Sequence, residues 1–397
     1  MSILRVLVVG SILWICACAP ESPAYLTDLN NEINTIRQRD APDKRIARFQ
    51  IEPVINDRGL VLRGHTDQPE AFAELKQWLA KRELPFQDSV QVLPDPVLGD
   101  RTFGVVNLSA CNIRSNPKHS AELATQSTLG TPLRIAQKLD NGWFLVQTPD
   151  DYFGYLDPGG FAWMDRDAYE DWMFSEKVVY VAPQGFVYQA PDERSVPVSD
   201  ILEGNILRLI GRKDDFYEVG FPDGRTGFVA QPTAQSYREW IGSRQPTAEN
   251  ILAKASTFLG RPYLWGGTSG KGVDCSGFTK TVFYLNGLLL PRDASQQVHT
   301  GIEVASDTTQ LDQLRPGDLL FFGRAATPER KERITHVAIY QGNGRIIHSS
   351  GIVCEESLNR RDPDFTEHRL QTFIRAKRIL SDGPVSGIVE LSKSGYY

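Results

Sequence analysis

The chain has 397 residues, of which 41% are hydrophobic and 23% are charged, and its formal net charge is -6. This length allows two to four domains of ordinary size, and the composition is that of a globular protein. The mild acidity excludes a general basic field for nucleic acid, so no nucleic-acid partner is expected.

The N-terminus has the pattern of an export signal. Arg5 precedes an apolar stretch from Val6 to Ala17, which is too short to span a membrane. The ending Ile15-Cys-Ala-Cys18 resembles the lipobox of bacterial lipoproteins. That resemblance implies a signal peptide over 1–17, a lipid anchor on Cys18, and an exported protein in the cell envelope, in the periplasm or on the outer surface. A plain secretory signal that is cleaved nearby is the alternative.

The cysteines fit an exported protein with at least one free thiol. Cys16 would leave with the signal and Cys18 would carry the lipid, which leaves Cys111, Cys275 and Cys354. An odd number of cysteines cannot all pair within one chain. Cys111 and Cys354 could form a disulfide, but buried free thiols are the default expectation.

The segment before residue 101 predicts a tether and a small α+β unit. Residues 18–42 are polar, contain one possible helix, and are interpreted as a tether between the membrane and the body. Residues 43–100 predict the order β-β-α-β, with a helix over 70–82 and a last strand over 89–93.

The middle of the chain contains an internal repeat. A segment that begins at Trp143 aligns with one that begins at Phe216, and a Pro-Asp turn and a glycine follow each at the same spacing. Each copy predicts short strands and tight turns, as in a small β-barrel. The motif resembles the bacterial SH3-like domains of cell-wall hydrolases. Two such domains are therefore expected, over 101–165 and over 166–240 with a connecting helix, and they could act only as spacers.

The C-terminal third predicts an α+β domain over 247–380. An amphipathic helix covers 248–259, a Gly-rich loop leads to Cys275, and an apolar helix follows. Several strand-like runs come after that helix, which is an α+β pattern. Residues 381–397 have weak signals and are interpreted as a tail.

Cys275 is placed for nucleophilic chemistry. A helix N-terminus offers free N–H groups and partial positive charge, which favour a thiolate and can stabilise an oxyanion. A thiolate needs a nearby base, and the base needs a group that orients it. His336 begins one strand-like run and His348 ends the next, so a hairpin would bring the two imidazoles level on one face.

Four sequence blocks in this region resemble the NlpC-type cell-wall cysteine peptidase family. The blocks are Tyr263-Leu-Trp-Gly-Gly, Asp274-Cys-Ser-Gly-Phe, Leu314-Arg-Pro-Gly-Asp-Leu-Leu-Phe-Phe, and His336-Val-Ala-Ile-Tyr followed by His348. The resemblance implies that Cys275 is the nucleophile, His336 the base and His348 the residue that orients the base. The expected architecture is multidomain: a small α+β N-terminal unit, two small all-β SH3-like barrels, and an α+β papain-like (NlpC-type) peptidase domain.

The order of domains also resembles the γ-D-glutamyl-L-diamino acid endopeptidases of the dipeptidyl-peptidase VI type. This implies cleavage between D-glutamate and the diamino acid of peptidoglycan stem peptides, with preference for a free N-terminal L-alanine. An acid and a tyrosine of the first SH3-like domain would help to hold the amine end. The residues implied for substrate binding are Glu122, Tyr155 (with Tyr152 as the alternative), Asp274, Ser276, Asp293 and Ser295.

Several alternatives remain open at this stage. Two carboxylates facing one ammonium would form strong charge-assisted hydrogen bonds, but Glu122 and Asp293 could instead be solvated surface charges. Spacings such as Cys-x-x-Cys and His-Glu-x-x-His are absent from the sequence, so no metal or other cofactor is predicted. The alternative functions are an endopeptidase on intact peptidoglycan in growth or division, and a non-catalytic wall-binding lipoprotein. A monomer is expected.

Overall fold

A computed structural model describes residues 24–381 and 386–394. The expected signal peptide over 1–17 and the expected lipidation site Cys18 lie outside the described residues. Within the described ranges, no helix is long and apolar enough to cross a membrane. The chain divides into two compact units, of which the first comprises residues up to 42 together with 48–91, and the second comprises 43–47 and the residues from 92 onward.

The first unit is a three-stranded sheet with two helices. Its elements are α1 (Ala24–Asp40), β1 (Phe49–Asn56), β2 (Gly59–Thr66), α2 (Pro69–Lys81) and β3 (Phe86–Val92). The strand order is β1-β2-β3, and β1 pairs antiparallel with β2. Phe72 and Leu75 on α2 are buried, as the helical spacing of apolar residues predicts.

Helix α1 corrects the interpretation of residues 18–42 as a tether. Leu29, Ile33 and Ile36 are each at most 2% exposed, and α1 packs against β1 and α2. These three side chains recur at helical spacing and form an apolar stripe on an otherwise polar helix. The described part of this segment therefore belongs to the folded unit.

The second unit begins with a seven-stranded antiparallel sheet, here called the first β-domain (103–164). Its strands are β4 (Phe103–Val106), β5 (Ala110–Arg114), β6 (Leu123–Thr128), β7 (Pro132–Lys138), β8 (Phe144–Gln147), β9 (Phe153–Leu156) and β10 (Phe161–Met164). The strand order is β10-β4-β7-β8-β9-β5-β6. Alternate residues such as Ile113, Ile135 and Val146 point into one apolar core. Helix α3 (Arg166–Phe174) follows.

A second seven-stranded antiparallel sheet forms the second β-domain (177–236). Its strands are β11 (Lys177–Tyr180), β12 (Gln184–Tyr188), β13 (Pro197–Leu202), β14 (Ile206–Lys213), β15 (Phe216–Gly220), β16 (Thr226–Ala230) and β17 (Ala234–Ser236). The strand order is β13-β12-β16-β15-β14-β11-β17. The repeat found in the sequence falls on equivalent hairpins, β8–β9 in the first β-domain and β15–β16 in the second.

The C-terminal domain (248–394) packs helices against a six-stranded antiparallel sheet. Its helices, after the short α4 (Tyr237–Gly242), are α5 (Ala248–Ser256), α6 (Cys275–Tyr284), α7 (Ala294–Gln297) and α8 (Glu367–Thr372). Its strands are β18 (Thr268–Ser269), β19 (Gly272–Val273), β20 (Leu288–Leu289), β21 (Ile302–Ala305), β22 (Leu319–Arg324), β23 (Arg333–Gly342), β24 (Arg345–Ser350), β25 (Ile352–Ser357), β26 (Phe373–Arg378) and β27 (Val389–Glu390). The main sheet has the order β21-β26-β22-β23-β24-β25, and α6 packs on β23 and β24. The apolar core that joins them includes Phe278, Phe283, Phe321 and Val337.

The interpretation of residues 381–397 as a tail is wrong for the part that the structure describes. Strand β27 pairs antiparallel with β20, and Leu391 is 5% exposed. The apolar residues near Leu391 are few, and the strand depends on pairing with β20, so local sequence patterns do not predict it. This segment completes the C-terminal domain.

Candidate active site

One open cleft gathers most of the predicted site residues. Its volume is about 990 Å³, and its walls come from the first β-domain, the segment 43–47 and the C-terminal domain. Among the residues that line it are Cys275, Glu122, Asp274, Ser276, Asp293 and Ser295. Glu122 is distant in the sequence from the other five, which lie between 274 and 295, so its convergence with them is a property of the fold.

The start of α6 fixes the position of Cys275. Asp274 caps the helix, because its Oδ1 accepts a hydrogen bond from the Gly277 N–H at 2.7 Å. A Cβ at Gly277 would collide with the Gly267 carbonyl oxygen, so only glycine allows α6 to approach the Gly-rich loop this closely. Cys275 is 7% exposed at the first position of the helix.

The two histidines form a hydrogen-bonded pair on adjacent strands. His336 Nε2 and His348 Nδ1 are 2.8 Å apart. The register pairs Ile339 with Ile347, so the two histidines are diagonal neighbours rather than directly opposite as expected from the hairpin. The long imidazole rings bridge this diagonal.

The thiol lies at the His336 end of β23. The Cys275 sulfur accepts a hydrogen bond from the backbone N–H of Val337, which directly follows His336. Since Nε2 of His336 faces His348, Nδ1 is the nitrogen left to take the thiol proton. His336 Nε2–H then donates to His348 Nδ1, which fixes the tautomer of both rings.

Glu356 is a fourth member of this relay that the sequence analysis missed. Its Oε2 lies 3.4 Å from His348 Nε2 and 3.0 Å from Arg369 Nε. Burial works to raise the pKa of Glu356, but the contacts with His348 and Arg369 outweigh it and lower the pKa to about 2. The charged carboxylate faces the nitrogen that carries the His348 proton. The contact could not be predicted because it depends on the register of β24 and β25. That register places His348 opposite Cys354, two residues before Glu356.

His348, Cys354 and Glu356 also form the group in the described ranges that could hold a metal ion. Their ligand atoms lie within 4.8 Å of one another. However, the Arg369 guanidinium contacts the same carboxylate and opposes a cation at this position. The histidine nitrogens are better explained as the orienting relay behind Cys275.

Burial acts against the charged forms of both Cys275 and His336. Burial and the Asp274 carboxylate raise the pKa of the Cys275 thiol to about 11, although the Val337 N–H and Arg292 oppose this rise. Loss of hydration, the charge of Arg369 and the neighbouring His348 hold the pKa of His336 well below 6.5. Burial thus outweighs the helix N-terminus, which was expected to favour a thiolate. The thiolate has to form as the proton moves to His336.

The raised thiol pKa predicts how alkylation of Cys275 depends on pH. Below the pKa, the thiolate fraction and the iodoacetamide rate should rise about tenfold per pH unit. The rate should level near pH 11, later than that of an ordinary cysteine at about 8.5. Mass spectrometry of the Cys275 peptide would measure it. A rate that is flat between about pH 5 and 8 would instead indicate a preformed thiolate–imidazolium pair.

Tyr263 is a further cleft residue to which the sequence analysis assigned no role. Burial and the nearby Cys275 and Asp274 raise the pKa of its hydroxyl, which therefore remains a hydrogen-bond donor. Its side chain lines the cleft beside the nucleophile. A fixed donor at this position can stabilise the oxyanion that forms when the sulfur attacks a carbonyl.

Asp293 and Tyr152 meet at one end of the cleft. The Tyr152 hydroxyl donates to Asp293 Oδ2 at 3.2 Å. Burial and the charge of Asp293 raise the pKa of Tyr152, so it stays a donor. Arg45, which the sequence analysis did not single out, donates to the same Oδ2 at 2.7 Å and to Ser295 Oγ at 3.0 Å.

The choice of Tyr155 for this position is corrected. Tyr155 packs with Leu93, Leu145 and Phe153 on β9 and is not among the residues that line the cleft. Tyr152 and Tyr155 are three residues apart in an extended segment, so their side chains point to opposite faces. The alternative, Tyr152, is the tyrosine of the first β-domain that lines the cleft.

Asp274 and Ser276 are held by a buried arginine. Arg292, which is 1% exposed, donates from Nη2 to Asp274 Oδ2 at 2.6 Å and from Nη1 to Ser276 Oγ at 3.0 Å. The Gly266 N–H also donates to Asp274 Oδ2. Both carboxylate oxygens of Asp274 thus accept hydrogen bonds from the protein, and Asp274 forms part of the cleft wall next to Cys275.

Glu122 reaches the cleft from the first β-domain. Its Oε1 accepts a hydrogen bond from Trp265 Nε1 at 2.6 Å. Gly266 has a φ of 80°, and a Cβ there would collide with the Leu123 carbonyl oxygen, so the loop and the segment around Glu122 are in direct contact. Glu122 is exposed and is among the residues that line the cleft.

Family models match two parts of the chain. Residues 260–369 match the NlpC/P60 family, and residues 113–159 match the bacterial dipeptidyl-peptidase Sh3 domain. The first match contains Cys275, His336 and His348. The second lies within the first β-domain.

Curated relatives and a solved structure agree with these matches. The chain is 36% identical over 236 residues to the gamma-D-glutamyl-L-lysine dipeptidyl-peptidase of Bacillus subtilis (strain 168), covering 57% of this chain and 74% of the relative. It is 28% identical to dipeptidyl-peptidase 6 of Lysinibacillus sphaericus, covering 68% and 97%. An NlpC/P60 family protein from Bacillus cereus ATCC 10987 shares the fold, with a TM-score of 0.59, 24% identity, and coverage of 70% of this chain and 100% of that one.

The resemblance on the four sequence blocks is thus confirmed by the family model and by the relatives. Of the three residues expected from it, Cys275 lines the cleft, and His336, which directly precedes Val337, is hydrogen-bonded to His348. The chain belongs to the NlpC/P60 family of cysteine peptidases and carries a bacterial SH3 domain ahead of its peptidase domain.

Proposed function

We propose that the protein hydrolyses the bond between D-glutamate and the diamino acid of peptidoglycan stem peptides, and that it prefers peptides with a free N-terminal L-alanine. The names of the relatives from Bacillus subtilis and Lysinibacillus sphaericus support a dipeptidyl-peptidase activity of this kind. The observation that carries the proposal is Asp293, a partly exposed carboxylate in the same cleft as Cys275 that shares the Arg45 guanidinium with Asp43.

The charges around Asp293 leave one negative charge for a ligand. Arg292 pairs with Asp274 through two hydrogen bonds, and Arg45 pairs with Asp43 in the same way. Asp293 contacts both guanidiniums but has no cation of its own, and its side chain is 26% exposed. A substrate ammonium would complete this set with charge-assisted hydrogen bonds. Glu122 supplies a second carboxylate in the same cleft.

The relay behind Cys275 supplies the steps of hydrolysis. The sulfur attacks the γ-carbonyl carbon of D-glutamate while its proton moves to His336 Nδ1, and Tyr263 donates to the oxyanion. His336 returns the proton to the departing amine of the diamino acid, and the C–N bond breaks to leave a thioester. Water then attacks the thioester with His336 as base, which releases the dipeptide and restores the thiol.

The proposal includes the location of the enzyme. The lipobox-like pattern that ends at Cys18 supports export and a lipid anchor in the cell envelope. The mass of the mature N-terminal peptide tests this, since an anchored chain begins at a diacylated or triacylated Cys18. An unmodified N-terminus would contradict the anchor.

The test of the amine subsite compares the tripeptide L-Ala-γ-D-Glu-diamino acid with its N-acetylated form. The wild-type kcat/KM should be about ten- to hundredfold higher for the free amine, because acetylation removes the charge that Asp293 and Glu122 face. Asp293→Asn should reduce this preference at least about tenfold. The products are identified by mass.

Asp192→Asn is the matched control, since Asp192 is an aspartate of the second β-domain with a 45% exposed side chain and the same type of arginine partner. It should keep the wild-type preference. Equal cleavage of both peptides by the wild type would contradict the free-amine preference. Faster cleavage of intact peptidoglycan than of the tripeptide would favour the wall endopeptidase instead.

A further inference from the structure

A short segment far from the peptidase domain in sequence reaches into the cleft. Residues 43–47 belong to the same compact unit as the two β-domains and the C-terminal domain. Arg45 lines the cleft and contacts Asp293 and Ser295, which are 248 and 250 residues away in the chain. The reaction described above does not require this residue, so its contacts need a separate explanation.

Arg45 is fixed from both sides. Asp43 accepts from Arg45 Nε at 2.8 Å and from Nη2 at 2.7 Å, which is a two-point contact that orients the planar guanidinium. The Gln296 side-chain amide in turn donates to Asp43 Oδ2 at 2.9 Å. The Phe153 N–H donates to the Arg45 carbonyl oxygen at 2.6 Å. The segment is therefore attached to the first β-domain and to α7 at the same time.

These contacts occupy part of the Asp293 carboxylate, whose side chain is still 26% exposed. Its Oδ2 accepts from Arg45 and Tyr152, and its Oδ1 lies 3.8 Å from Arg292. An ammonium can approach the open side of this carboxylate and add a further ion pair. A peptide extended beyond the alanine brings no charge to this position and more bulk, which would have to displace Arg45.

We propose that Arg45 is a positioning and specificity-determining residue, which holds Asp293 toward the substrate amine and closes the cleft to peptides extended on the amino side of L-alanine. The inference rests on the proposed function and adds to it a residue outside both matched domains. Displacing Arg45 would take the guanidinium that donates to both Asp43 and Asp293 away from two partly buried carboxylates, which is costly. The closure is therefore electrostatic as well as steric.

The experiment compares the tripeptide with the same peptide extended by one N-terminal glycine. Wild-type kcat/KM should be at least about tenfold higher for the unextended peptide. Arg45→Ala should lower this ratio at least about tenfold, with a higher KM for the tripeptide and a kcat within about threefold of wild type. Arg45→Lys keeps the charge but loses the two-point contact with Asp43, so it should restore the ratio in part.

Arg194→Ala is the matched control, because Arg194 lies on the second β-domain with a side chain that is 90% exposed. It should behave as wild type. Circular dichroism verifies that each variant is folded, and Arg45→Gln replaces the alanine variant if that one is not.

The outcomes separate this inference from the proposed function. A wild-type ratio near one would contradict the closed cleft and the free-amine preference together. A high wild-type ratio that Arg45→Ala leaves unchanged would overturn only the role of Arg45. Faster tripeptide cleavage by Arg45→Ala at an unchanged ratio would also overturn it, because Arg45 would then be a competitor of the ammonium.

Discussion

Replacing Cys275 with serine is expected to lower kcat on the tripeptide by at least about 10⁴-fold. The change keeps the geometry of α6 and removes only the sulfur. A serine hydroxyl is much less acidic than a thiol, and His336, with a pKa well below 6.5, is too weak a base to compensate. The measurement is the rate of product formation by mass spectrometry at matched enzyme concentration.

Cys111→Ala is the control for the loss of a thiol. Cys111 is 1% exposed in the core of the first β-domain, and burial raises the pKa of its thiol, so it is inert. This variant should retain the wild-type rate per folded molecule. Residual turnover by Cys275→Ser above one hundredth of wild type would argue against Cys275 as nucleophile, and unchanged turnover would exclude it.

The local chemistry of the site was accessible from sequence because it is encoded in short blocks. The Gly-rich loop and the apolar run on either side of Cys275 predicted a helix that starts there, and α6 begins at Cys275. The pair His336 and His348 could be found since a short turn joins their strands. Such features depend on neighbouring residues, whose patterns survive in a single sequence.

The features that sequence analysis missed depend on register and on distant pairing. Glu356 required the pairing of β24 with β25, and Tyr155 was chosen over Tyr152 because the face of β9 was unknown. Arg45 contacts Asp293, which is 248 residues away in the chain, and no local sequence pattern predicts such a contact. The thiol pKa was misjudged for a similar reason, since its burial in the assembled cleft outweighs the helix N-terminus.

The interpretation of residues 18–42 as a tether was wrong for another reason. The few apolar residues of α1 are outnumbered by polar ones. In α1, Leu29, Ile33 and Ile36 are separated by charged and amide side chains, so the average composition is polar. The helical spacing of the three was the informative signal. Periodicity should therefore be weighed above mean composition when a segment between a signal and a domain is assigned.

Breaking the buried ion pair between Asp150 and Lys280 is the second change with a large expected effect. Asp150 lies in the turn before β9, Lys280 lies on α6, and their side chains are 4% and 12% exposed. Asp150→Ala should destabilise the second unit by about 3–5 kcal/mol at pH 7, because a buried ammonium loses its partner. Chemical denaturation followed by tryptophan fluorescence measures this loss.

The pH dependence of that loss distinguishes a buried charge from lost packing. Burial lowers the pKa of Lys280, and Asp150 opposes this effect, so removing Asp150 should lower the pKa further. A lysine whose folded pKa lies below its unfolded value makes folding more favourable as pH rises between the two values. The deficit of Asp150→Ala should therefore be largest near neutral pH and shrink toward pH 10.

Two variants complete the test of this pair. The double variant Asp150→Leu with Lys280→Met should recover most of the stability, since apolar residues of similar volume often replace a buried ion pair without loss. Asp192→Ala breaks an exposed pair and should leave the unfolding midpoint unchanged. If Asp150→Ala were no more harmful than Asp192→Ala at pH 7, the contact would be dispensable.

The contact between Asp150 and Lys280 should also affect catalysis. Because α6 carries Cys275 at its first residue, the loss of this contact should lower kcat/KM.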